Sequence, residues 1–102
     1  MANHRFANPD EYTADTDTTL ADTGANEIVF KDLRIVNTTA GNIELDLWLA
    51  DSGDTPLAKI LVGAILEPGP YELDLQAFCP AAGDKVRFNA PSGLEFLLTG
   101  VS

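Results

Sequence analysis

Few side chains in this 102-residue sequence have types and spacing suited to chemistry. The one histidine, His4, lies close to the start, in a stretch with no helical or strand period. A nucleophile needs a base held within hydrogen-bond reach, and such a stretch holds nothing in place. Cys79, the single cysteine, lies between Phe78 and Pro80 and reads as a small buried apolar residue. Alone, it forms no internal disulfide. Asp15-Thr16-Asp17-Thr18-Thr19 spells the D-x-D-x-T string of aspartyl-phosphate phosphatases. That string follows a buried parallel strand of an α/β fold, and no apolar strand precedes it here. Counted as a calcium loop from Asp15, it has Leu20 where glycine is required and Asn26 where glutamate is required. Loose calcium binding by surface acids stays open. Asn37-Thr38-Thr39 fits the glycosylation acceptor pattern but reads as a polar turn. No catalytic residue, cofactor or metal site is assigned, and the chain reads as non-enzymatic.

The elements that would position side chains are short strands between turn signals. Residues 1–17 carry no period, and Phe6 and Tyr12 are their large apolar groups. They read as an extended acidic arm, either frayed or ordered on a neighbouring subunit with Phe6 and Tyr12 as anchors. Thr18–Ala21 is a short edge strand. Residues 27–37 place apolar groups on both faces, which fits a central strand or a bulge that swaps faces midway. Ile43, Leu45, Leu47 and Leu49 alternate with Glu44, Asp46 and Trp48 in a half-buried strand. That puts Trp48 on the polar face, where it is an interface anchor, a sugar-stacking platform or a cover for a sheet edge. Residues 57–66 are apolar nearly throughout and read as a strand. Glu67-Pro68-Gly69-Pro70 is a turn, and Tyr71, Leu73 and Leu75 begin the next alternation. Val86 and Phe88, then Leu94, Phe96 and Leu98, close the chain.

Six or seven such strands with no amphipathic helix predict an all-β fold. The expected form is an antiparallel β-sandwich, jelly-roll-like, over residues 18–102, with the arm at 1–17. A hydrophobic fraction of 45% supports one packed core. The formal net charge is −10, from 16 acids against 6 bases. Such a balance excludes nucleic-acid and anionic-membrane binding, which need a basic footprint. The longest apolar run, 60–66, falls short of the roughly 18 residues of a membrane span. No secretory leader is evident, so synthesis in a cytoplasm is expected. Half of the net charge falls in residues 1–27, which hold six acids and one base.

From about Thr18 to Val101 the chain resembles the small β-sandwich virion structural proteins of tailed bacteriophages. The matching pieces are Thr19-Leu20, Arg34-Ile35-Val36-Asn37-Thr38 and Leu45-Asp46-Leu47-Trp48-Leu49, followed by a Ser/Gly loop. Leu66-Glu67-Pro68-Gly69, Ala82-Gly83-Asp84-Lys85-Val86 and Leu98-Thr99-Gly100-Val101 complete them, in matching order. Thr23-Gly24-Ala25-Asn26 replaces the family's Pro-Ala-Gly turn, and the acidic arm lies outside the shared pattern.

The resemblance implies a component of the virion. Foremost is a capsid decoration (cement) protein on the outer shell, partnered by the major capsid protein or other virion proteins. A homo-oligomer is expected, with a trimer favoured. The alternative is a tail, baseplate or fibre module that binds a host-surface glycan through Trp48.

Overall fold

A computed structural model describes residues 2–9 and 12–102 of the chain. Met1, Asp10 and Glu11 lie outside the described residues, so the sequence reading of those two acids as part of the arm does too. The described chain forms eight strands. They are β1 (Asn3–Pro9), β2 (Thr18–Asp22), β3 (Val29–Asn37), β4 (Ile43–Ala50), β5 (Pro56–Leu66), β6 (Gly69–Phe78), β7 (Lys85–Asn89) and β8 (Leu94–Val101). Two antiparallel four-stranded sheets result, one in the order β1-β8-β3-β6 and the other β2-β7-β4-β5. This alternation between sheets is the winding of a jelly roll, as the strand pattern predicted.

The core follows from period-2 alternation. Leu45 and Leu47 on β4, Phe88 on β7 and Leu94 and Leu98 on β8 are fully buried between the sheets. On β3 the alternation breaks. Phe30, Leu33 and Ile35 all point inward, because the pairing of β3 with β8 slips between Phe30 and Asp32 and leaves Lys31 extra. The two-faced pattern read from residues 27–37 is therefore a bulge that swaps faces.

Residues 3–9 correct the expectation of an arm. They pair along β8 from Asn3–Val101 to Pro9–Glu95 and form an edge of the first sheet. Backbone pairing is blind to side-chain type, and one inward ring supplies the packing. Phe6 meets Phe30 edge-on at 6.0 Å between ring centroids. Tyr12 also turns inward, 4.9 Å from Phe88 and edge-on.

Side chains tie both ends of the sandwich. At one end the Tyr12 hydroxyl donates to the Pro91 carbonyl and accepts from the Leu94 amide. Thr38 Oγ1 donates to the Gly93 carbonyl nearby. Gly93 is required there: its φ is +114°, and an added Cβ would fall 2.3 Å from Thr39 Cγ2. At the other end the buried Thr23 hydroxyl donates to the Asp84 carbonyl and accepts from the Gly83 amide.

Candidate interaction surface

The chemistry-bearing residues singled out in the sequence are mostly absorbed by the fold. His4 Nε2 and Ser102 Oγ share a hydrogen bond of 2.7 Å at the exposed end of β1 and β8. No carboxylate among the described residues bonds to that imidazole. Asp17 and Thr19 form a strap on β7, and the Asp15 amide donates to the Ala90 carbonyl just beyond it. Asp17 accepts from Asn89 through its carboxylate and from Arg87 through its carbonyl, and Thr19 Oγ1 accepts from Arg87 Nε. Asn37 is buried, with both ends of its amide engaged. The Asn-Thr-Thr string is thus a turn lock, as the polar-turn reading expected. Cys79 corrects its expectation, since it lies exposed in the loop after β6. Among the described residues, no three His, Cys, Asp or Glu side chains gather as a metal ion would require.

Phe6 and Tyr12, read from the sequence as anchors for a partner, are spent on the chain's own core. Trp48 takes the predicted outer face. It lies across from Arg87 on β7 and from Lys59 on β5. Half of the six bases, Lys59, Lys85 and Arg87, are thereby placed on strands at or next to β4. Lys85 is paired with Asp54 at 2.9 Å, and the Arg87 guanidinium lies 3.9 Å from the same carboxylate. The Lys85 hydrogen bond, more than any other influence, holds the Asp54 carboxyl below its ordinary pKa of 3.8. Lys59 makes no hydrogen bond or ion pair among the described residues. Trp48 itself is half-buried, and its indole Nε1 is covered without an acceptor. An unmet buried donor costs about 1–3 kcal/mol. Beside the ring lies an open groove of about 380 Å³, walled by Pro56, Lys59, Leu61 and Val62.

The sequence reading did not single out β5, one of the two open edges of the second sheet. Its exposed side chains include Leu57 at 52%, Val62 at 65% and Ile65 at 57%. Ile65 takes the outer face in regular register opposite Glu44, and beyond it three register slips against β4 disturb the strand. Each slip inserts residues that β4 does not match, and near two of them Leu57 and Val62 are turned to solvent. Gly63 adopts φ +58° at the second site, and its amide donates to Asp46 Oδ1 at 2.7 Å. The apolar stretch at 57–66, broken only by Lys59, was the available signal, because a strand with only one buried face does not need it. Isolated apolar residues on a surface are ordinary; here three share one unpaired edge strand. Set against protein-family models, curated proteins and solved structures, the chain matches none of them.

Proposed function

We propose that this chain is a non-enzymatic structural protein of a bacteriophage particle, a decoration protein that binds the outer capsid surface and stabilises it. The observation that carries this reading is the apolar row on the open edge strand β5, in a chain of net charge −10. An edge of this kind invites pairing with protein, and soluble domains commonly blunt it with charge. The jelly-roll winding agrees with the reading by analogy of fold alone, since capsid and lectin domains share it. The residue pattern that resembles phage virion proteins supplies the setting.

The test is sedimentation of the full chain with phage capsids that lack it, followed by heating of the decorated particles. Saturable binding and a raised capsid disruption temperature are expected. Chain that stays in the supernatant at all concentrations removes the proposal.

One observation favours a second reading. The Trp48 groove sets an aromatic ring beside the Asp46 carboxylate and the Lys59 ammonium, a stacking face with polar groups for sugar hydroxyls. On that reading the chain is a tail or fibre module for host-surface glycan. Trp48→Ala would then abolish cell binding and leave particle assembly intact.

A further inference from the structure

We infer that β5 is the contact between two copies of this chain, related by a two-fold axis that passes near Val62. The inference deepens the assembly reading above and rests on the same apolar row.

The four edge strands differ in what they offer. β1 and β2 are short, with seven and five residues. β6 carries Glu72 and Asp74, and Gln76 and Ala77 both take positive φ. β5 has its own positive-φ residue, Gly63, so charge separates the two edges. β5 is the longest strand at eleven residues, and Lys59 is its one charged side chain. Two copies of a −10 molecule repel over most of their surface. They approach at least cost where acids are missing, and β5 is such a place.

Charge also selects the orientation. Lys59 lies in the row of Trp48, and Ile65 lies in the row of Glu44. The strip therefore has a cationic end and an anionic end, set four β4 residues or about 13 Å apart, because β5 spends two extra residues at its slips. An antiparallel arrangement about Val62 sets Lys59 of one copy opposite Ile65 of the other. Glu44 is then two strand spacings away, about 10 Å, which a lysine and a glutamate side chain together span. Neither Lys59 nor Glu44 has a partner among the described residues. By symmetry the pair forms twice, once on either side of the central Val62 of both copies. A two-fold contact uses the same surface on each copy and closes on itself.

Light scattering and sedimentation of the full chain at low salt test the inference. A dimer is expected, weakened about tenfold or more by Lys59→Glu and by Val62→Asp. Both positions are exposed, and circular dichroism checks that each variant keeps its fold. The charge swap Lys59→Glu with Glu44→Lys is expected to restore dimerisation to within about threefold of wild type. A wild-type chain that stays monomeric at about 1 mM overturns the inference. So does a dimer or trimer indifferent to both single changes, or a double variant no tighter than Lys59→Glu alone. A β5 dimer that fails to sediment with capsids keeps the contact and removes the decoration reading. A monomer that decorates capsids does the reverse.

Discussion

The side-chain amide of Asn37 donates to the carbonyl of Leu66 at 2.9 Å and so ties the end of β3 in one sheet to the end of β5 in the other. The same nitrogen donates to the Gly41 carbonyl at 2.8 Å. The amide oxygen accepts from the Thr39 amide at 2.9 Å and from Thr39 Oγ1 at 2.7 Å. Two donors and two acceptor sites are the full capacity of an asparagine side chain. Every one is used, at a position 2% exposed.

Asn37→Ala is therefore expected to destabilise the fold by about 2–3 kcal/mol, since it strands a buried carbonyl and an amide at once. In a domain of this size the melting temperature should fall by roughly 10–20 °C. Thermal unfolding followed by circular dichroism reads this directly. An unchanged midpoint would mean that water replaces the lock without loss.

The N-terminal segment should behave as part of the sandwich. Deletion of residues 1–9 leaves the outer edge of β8 unpaired and takes the Phe6 ring away from Phe30. Tyr12→Phe keeps the ring against Phe88 but removes the hydroxyl between Pro91 and Leu94. The point change should cost about 1–2 kcal/mol in urea unfolding. The deletion should cost more. A truncated chain as stable as the full one would restore the detachable arm that the sequence suggested.

The pairing of Asp54 with Lys85 predicts an acid-sensitive contribution to stability. The folded-state pKa of Asp54 lies below the ordinary 3.8, so the unfolded chain binds the proton more readily. Stability from this pair is complete above the ordinary value and is lost as pH falls through the lower folded value. Surface exposure and salt keep the effect small. Lys85→Met should narrow the gap in unfolding midpoint between about pH 2 and about pH 6 relative to wild type. Equal pH profiles for the two proteins would remove the role of the pair.

Much of the sandwich was legible because alternation and turn chemistry are local. Ile43 to Leu49 alternate cleanly, and the structure buries the residues that the period selects. The turn signals at residues 51–56 and 67–70 fall at the breaks between β4, β5 and β6, although Pro56, Gly69 and Pro70 already belong to strands. The outer-face position of Trp48 followed from the same parity. The strand β1 escaped notice because its hold is mainly backbone pairing to β8, which leaves little mark on composition. Phe6 and Tyr12 were noticed as large apolar groups, but local reasoning has no term for a core that closes from a distant strand. Cys79 looked buried for its apolar neighbours, yet it sits in a connecting loop, where backbone exposure decides.

The amino-acid sequence by itself determined that the chain is all-β, which residues of the clean strands face inward, and that the surface is strongly acidic. These are properties of near neighbours along the chain. Tertiary structure decided which strands became edges, where the register slips, and whose side chains those slips leave in solvent. Leu57 and Val62 are apolar in any reading, but only the mismatch between β5 and β4 turns them outward. Pairing register depends on two strands distant in sequence, so neither strand alone carries it.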